Sequence, residues 1–214
     1  MSAADTFLIK ICGVTTPADA ALAAQAGAGA IGVNFWPGSK RFVGDDAAAA
    51  RVLAAIPPGV LKVGVFVNAS AAVVTSKASA LGLDRVQLHG DEAPADFAGI
   101  ASSILMRAVR VKDQASFAAA SGWHASLFLY DALVDGYGGG GVTAPWSLIA
   151  AHARRPFLLA GGLHPDNVAD AIRATRPFGV DVASGVEAPG NARKKDETKL
   201  RAFVRAVRAR ERAA

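Results

Sequence analysis

Eight short apolar runs alternate with eight helix-like segments along 214 residues, at roughly 27 residues per repeat, close to the length of a βαβ element. The runs are nearly continuous in apolar residues, as strands covered on both faces require. The chain also ends in two glycine turns, each following such a run. These three observations predict an α/β protein, a single (β/α)8 barrel of the TIM type, with residues 1–214 as one domain. Periodicity leaves an open doubly wound sheet possible, but eight units close more naturally into a barrel.

Taken in order, the strands are expected at Phe7–Ile11, Ala30–Val33, Val60–Val67, Arg85–Leu88, Ile104–Val109, Leu127–Tyr130, Phe157–Ala160 and Val180–Val182. Alanine-rich segments between them, such as Ala18–Ala26, Asp46–Ala55 and Ser70–Leu81, suit helices. In the last segment Leu200, Phe203, Val204 and Val207 follow an i, i+3, i+4, i+7 pattern, which predicts a terminal helix with one buried stripe. The stretch Gly136–Gly141 has the spacing G-x-G-x-x-G. Yet Asp131 ends the preceding strand five residues earlier and Pro145 marks the next helix start, so it reads as a mobile loop over the barrel mouth, not a dinucleotide grip.

The formal net charge of +5 belongs to that last helix. From Arg193 onward there are nine Lys or Arg and three Asp or Glu, leaving 14 basic and 15 acidic residues before it. No aromatic stacking residues interleave with these cations on a polar face, so the helix reads as solvated and no nucleic-acid partner is expected. A single cysteine rules out an intramolecular disulfide framework and a Cys-only metal site. With no long apolar span and no secretory pattern at the start, the expectation is a soluble cytoplasmic protein with no membrane partner.

In a barrel of this kind chemistry sits at the C-terminal ends of the strands. The first strand leads into Lys10-Ile11-Cys12-Gly13, which puts a thiol at the mouth, and the sixth leads into Asp131. Taken alone, Cys12 also reads as a small buried hydrophobe and Asp131 as a turn former. Near the end, Leu158-Leu159-Ala160-Gly161-Gly162 and Val182-Ala183-Ser184-Gly185 each break an apolar strand with glycine. Backbone N–H groups at such turns, and a helix N-terminus after the first, suit a phosphate. The loops after strands seven and eight are where such barrels often bind one.

Six segments in order, Lys10-Ile11-Cys12-Gly13, Ser39-Lys40-Arg41-Phe42-Val43, Gly64-Val65-Phe66-Val67-Asn68, Gln87-Leu88-His89-Gly90-Asp91-Glu92, Leu159-Ala160-Gly161-Gly162-Leu163 and Ser184-Gly185-Val186-Glu187, resemble the motifs of phosphoribosylanthranilate isomerases. The resemblance spans almost the whole chain. It implies an Amadori rearrangement of N-(5-phosphoribosyl)anthranilate in tryptophan biosynthesis. Cys12 would be general base, Asp131 general acid and Arg41 the holder of the anthranilate carboxylate, with Gly161, Gly162, Ser184 and Gly185 on the phosphate. The chemistry needs two groups of different proton affinity and neither a metal nor an organic cofactor. Cys12 would serve best if its surroundings favour the thiolate, and Asp131 if its surroundings keep it protonated. The partner expected is a small phosphosugar, and the chain a monomer or homodimer.

Three departures from the family pattern stand out. Gly138–Gly141 lacks the hydroxyl usual there, Ala144 replaces an aromatic before Trp146, and Gly190–Asp196 carries extra residues near the phosphate rim. His89 reads as a packed or hydrogen-bonded histidine at a strand end, without a catalytic role. Another phosphosugar barrel, such as indole-glycerol-phosphate synthase or a histidine-pathway isomerase, would share the phosphate grip. A synthase would be expected to show lysine and glutamate at strand ends, with Lys10 the main lysine candidate. An RNA-binding module using the terminal helix is the non-enzymatic alternative.

Overall fold

The computed structural model describes residues 7–132, 145–154 and 156–209. Gly136–Gly141 and Ala144, whose readings were a mobile loop and a family departure, lie outside the described residues. Eight parallel strands form a closed barrel in chain order: β1 (Leu8–Ile11), β2 (Ala30–Asn34), β3 (Leu61–Phe66), β4 (Arg85–Leu88), β5 (Leu105–Val111), β6 (Leu127–Ala132), β7 (Phe157–Leu159) and β8 (Gly179–Val182). Closure is made by β1 against β8, where Leu8 stands opposite Gly179 and Lys10 opposite Asp181.

Alternation along the strands sorts side chains inward and outward. Ala30, Val63, Met106, Ala108, Leu127, Leu129, Leu158 and Ala160 form one buried cluster inside the barrel, joined by Leu8 and Leu61. A larger cluster, including Ile9, Ile11, Phe128, Tyr130 and Phe157, lies between the barrel and its helices. Stepping two residues along the strands from Leu8, Ala30 and Leu129 reaches Lys10 and then Cys12, Gly32 and Asp131, and Asp181 on β8 stands opposite Lys10. The interior therefore changes from an apolar floor to a polar mouth toward the C-terminal ends, and the site residues inherit their direction from the pleat.

The helices start where their caps dictate. The Thr16 hydroxyl accepts from Asp19 N–H at 3.1 Å ahead of α1 (Pro17–Ala26), Asp45 caps α2 (Asp46–Ala54) through Ala48 N–H, and Ser70 caps α3 (Ala71–Leu81) through Val73 N–H. α4 (Trp146–His152) begins directly after Pro145, as expected, and α5 (Val168–Thr175) follows β7. The terminal α6 (Glu197–Ala209) buries Leu200, Phe203, Val204 and Val207, the stripe read from the sequence. Phe203 is fully buried, and truncating it to Ala would cost about 3–5 kcal/mol.

Three differences from the sequence reading matter. The connections after β4 and β5 are 3-10 turns, Pro94–Phe97 and Gln114–Ala120, in place of α-helices. Gly90, Pro94 and Gly99 interrupt the first of these, and a Ser116 capping box with Asp113 tightens the second. β6 runs on through Ala132, so Asp131 lies within the strand and not after it. Residues 187–195 form an antiparallel hairpin, β9 (Glu187–Ala188) and β10 (Asn191–Lys195), which periodicity did not disclose. The Gly190–Asp196 departure is thus a structured element of the mouth.

Candidate active site

Cys12 follows β1 and remains partly exposed at the mouth, while Lys10, two residues earlier on the same inward face, is fully buried. Lys10 Nζ donates to Asp181 Oδ1 at 2.7 Å, and the Cys12 thiol lies close enough to feel its charge. Gly32 on β2 makes room for both: a Cβ there would lie 3.0 Å from Cys12 Sγ and 3.1 Å from Lys10 Nζ. Burial works against the Lys10 charge, but the Asp181 carboxylate and the thiol outweigh it and push the ammonium above its ordinary value. The Cys12 thiol is also raised, by burial first and by Asp181 second, against the pull of Lys10 and Lys195. This corrects the expectation that the surroundings favour the thiolate. Lys10 is compensated by Asp181, so its charge does not overcome desolvation of the sulfur.

Arg41 lies in the loop after β2, across Gly13, where a Cβ would meet Arg41 Cδ at 2.2 Å. Its guanidinium grips Glu187 with two bonds, Nε to Oε1 at 2.6 Å and Nη2 to Oε2 at 2.9 Å. Burial opposes the Arg41 charge, yet Glu187 raises its proton affinity, and the nearby Cys12 and Asp131 add to that. Lys195, buried at the end of β10, donates to Glu187 Oε1 and to Ala183 O, each at 3.2 Å. Desolvation lowers its proton affinity despite Glu187. The hairpin that carries Lys195 is tied down by Thr15 Oγ1 to Arg193 O at 2.7 Å and by Arg193 Nη1 to Phe42 O at 2.6 Å. It spans the loops after β1 and β2, on the Cys12 and Arg41 side of the mouth.

Asp131 is buried near the end of β6, with Oδ1 accepting from Ala132 N–H at 2.8 Å. Its Oδ2 lies 3.5 Å from His89 Nε2, and the Nδ1 of that ring meets the Gln87 amide at 2.9 Å. His89 is hydrogen-bonded, as read, but its other nitrogen points at the proposed acid. Around it, Glu92 accepts from the N–H groups of Asn68 and Gly90, and Arg107 reaches Glu92 and Gly90 O. The loop after β4 is thereby fixed.

The two glycine turns meet backbone to backbone. A Cβ at Gly185 would lie 2.0 Å from Leu163 O. Gly161 and Gly162 both have positive φ, 83° and 64°, and a Cβ at Gly161 would strike Ala132 N at 2.6 Å and Asp131 Oδ1 at 2.9 Å. Asn167 staples the first turn, accepting from His164 N–H and donating to Gly162 O, immediately before α5. Ser184 opens the 3-10 turn Ser184–Val186 after β8. The structure thus brings Cys12, Asp131, Arg41 and both glycine turns to one end of the barrel. Sequence reading missed Glu187 as the partner of Arg41 and Lys195 as a second cation on Glu187, and it took Lys10 only as a rival catalyst. The i, i+2 spacing of Lys10 with Cys12 and of Gln87 with His89 was the available signal.

A closed eight-stranded barrel with a thiol, a carboxyl and a guanidinium gathered at its C-terminal mouth places the chain in the class of (β/α)8 barrel enzymes. Residues 9–206 match the sequence pattern described as N-(5'phosphoribosyl)anthranilate (PRA) isomerase. Curated N-(5'-phosphoribosyl)anthranilate isomerases of Magnetococcus marinus and Myxococcus xanthus are 46% and 45% identical, each alignment covering 94% of this chain and 94% and 95% of theirs. The crystal structure of phosphoribosyl anthranilate isomerase from Thermotoga maritima superposes with a TM-score of 0.86 at 37% identity, covering 95% of this chain and 100% of that one. A second isomerase structure, in complex with reduced 1-(o-carboxyphenylamino)-1-deoxyribulose 5-phosphate, gives 0.82 at 34% identity over 95% of this chain and 100% of that one. The chain belongs to the phosphoribosylanthranilate isomerase family and is an isomerase.

Proposed function

We propose that this protein converts N-(5-phosphoribosyl)anthranilate to 1-(2-carboxyphenylamino)-1-deoxyribulose 5-phosphate, with Cys12 as general base and Asp131 as general acid. The observation that supports the reading is the convergence of Cys12, Asp131 and Arg41 at the C-terminal mouth, where Gly32 packs against Cys12, Gly161 against Asp131 and Gly13 against Arg41. Asp131 gives a proton to the ribose ring oxygen as the C1–O bond breaks, leaving a Schiff base. Cys12 takes the proton from C2, and the enolamine so formed tautomerises to the ketone. The raised thiol means that the charge balance around Cys12 must change when substrate arrives, and the substrate's iminium charge acts in that direction.

In this reading Arg41 holds the anthranilate carboxylate on the side of its fork that Glu187 leaves open, and Gly161, Gly162, Ser184 and Gly185 hold the phosphate. The domain is the whole chain, working on a small phosphosugar in the cytoplasm as a monomer or homodimer. Among the described residues no helix is long and apolar enough to cross a membrane. The test is fluorescence-monitored turnover of freshly prepared N-(5-phosphoribosyl)anthranilate by the purified protein. Loss of the substrate's anthranilate fluorescence at enzymatic rates is expected, and its absence under conditions where the protein is folded removes the assignment.

A further inference from the structure

We infer that His89, oriented by Gln87, is the positioning residue for Asp131, and the inference rests on the acid role proposed above. Gln87 and His89 lie two residues apart at the end of β4, so both side chains point into the barrel, and both are buried. The Gln87 amide nitrogen sits 2.9 Å from His89 Nδ1, while His89 Nε2 has the Asp131 Oδ2 atom, at 3.5 Å, as its nearest charged neighbour. His89 Nε2 makes no other hydrogen bond among the described residues. With the Gln87 amide nitrogen facing it, Nδ1 accepts, and a neutral imidazole in this arrangement carries its proton on Nε2; Gln87 Oε1, also buried, makes no hydrogen bond among the described residues. That proton faces a carboxyl oxygen. The separation is longer than a formed hydrogen bond, so a small approach of the two groups is needed to make one.

The chain of contacts gives Asp131 two donors from two directions, Ala132 N–H on Oδ1 and His89 Nε2–H toward Oδ2. Both act hardest on the carboxylate that forms as the proton leaves for the sugar, so they lower the barrier to transfer and keep the carboxyl from rotating. The Glu92 and Arg107 bonds that hold the loop after β4 make this a fixed support. No bond to substrate is involved, so His89 should govern kcat and leave KM alone.

The experiment compares His89→Leu, which removes the donor, with His89→Gln, whose side-chain amide N–H reaches the same place. The expected result is a loss of kcat of about 10- to 100-fold in His89→Leu, the range for outer partners of a working group. KM and melting temperature should be nearly unchanged, and His89→Gln should recover most of the loss. In an Asp131→Asn background His89→Leu should add little, because the two act as a unit. Histidine 15N NMR of the ligand-free protein should show the Nε2–H tautomer. Equal losses in the Leu and Gln variants, a change confined to KM, full additivity with Asp131→Asn, or an Nδ1–H tautomer would each overturn the inference. If Asp131→Asn itself leaves kcat unchanged, the acid assignment fails first, and the His89 result is then read from the tautomer alone.

Discussion

The guanidinium of Arg41 and the carboxylate of Glu187 lie edge to edge, joined by bonds of 2.6 and 2.9 Å between segments 146 residues apart. A cation expected to receive a carboxylate is thus already aligned by one, with Lys195 sharing the same acceptor. This arrangement fixes the fork's plane before substrate binds, which lowers the ordering cost of binding. If Arg41 receives the anthranilate carboxylate as proposed, an arginine is required, because a lysine has no second edge to offer once Glu187 is engaged.

Arg41→Ala should therefore weaken a product analogue bearing the anthranilate carboxylate by about 1.5–3 kcal/mol, the range for a hydrogen bond to a charged group. Arg41→Lys should not restore it. Calorimetric titration with the reduced product checks both, and unchanged affinity in Arg41→Ala would move the carboxylate site elsewhere.

Glu187→Gln is expected to act on stability as well as binding. It leaves Arg41 and the buried Lys195 without their common anion, a loss on the order of 3 kcal/mol for a buried charge deprived of its partner. A thermal scan should show the drop, and an additional Lys195→Met change should recover part of it by removing the stranded ammonium.

The glycine turns give a steric prediction. Gly185→Ala puts a methyl where Leu163 O stands at 2.0 Å, forcing apart the two backbones proposed to close on phosphate. KM should rise at least about 10-fold, with a smaller change in kcat, as for loss of a contact made equally in ground and transition states. Gly162→Asp should do the same through its charge. Normal substrate affinity in both variants would place the phosphate at another part of the mouth.

The barrel was legible because each strand carries its own signal: short, apolar, spaced by capped helices with Thr16, Asp45 and Ser70 at their starts. Cys12, Asp131 and the glycine turns were legible because the fold assigns strand ends to the mouth. The Arg41–Glu187 and His89–Asp131 contacts were not, since residues 146 and 42 positions apart meet only when the barrel closes. The hairpin at residues 187–195 escaped because its β10 strand, Asn-Ala-Arg-Lys-Lys, has none of the apolar alternation by which strands are recognised. The connections after β4 and β5 fall short of α-helices because Gly90, Pro94 and Gly99 break the first, while the Asp113–Ser116 capping box closes the second into a 3-10 turn.

Cys12 supplies a pH prediction. Its thiol is held above the ordinary value by burial and by Asp181, with Lys10 and Lys195 pulling the other way and Arg41 also within range. A raised value means less thiolate at neutral pH, so alkylation of Cys12 by iodoacetamide should be slow at pH 7 and accelerate only above the normal thiol range of about 8.5. Lys10→Met removes one opposing charge and strands Asp181, and both consequences have the same sign, so the midpoint should move further up. A midpoint below that of a free cysteine would show that the Lys10 charge dominates.

The decisive test concerns Cys12 and Asp131 together. Cys12→Ser preserves a small polar side chain but makes the deprotonated form far harder to reach, so removal of the C2 proton should fail. Asp131→Asn preserves the shape beside Gly161 and Ala132 N–H while removing the transferable proton. Each should lower kcat by at least about 100-fold, the lower end of the usual contribution of a positioned acid or base. Affinity for the reduced product should be little changed, because neither group is proposed to hold the phosphate or the carboxylate. The alternative, a cysteine that merely packs, predicts the reverse: Cys12 remains partly exposed, so replacing it would shift the melting temperature a little and leave turnover per folded molecule intact. Measuring kcat and melting temperature on the same preparations separates the two, and near-normal kcat in either variant removes that residue from the mechanism.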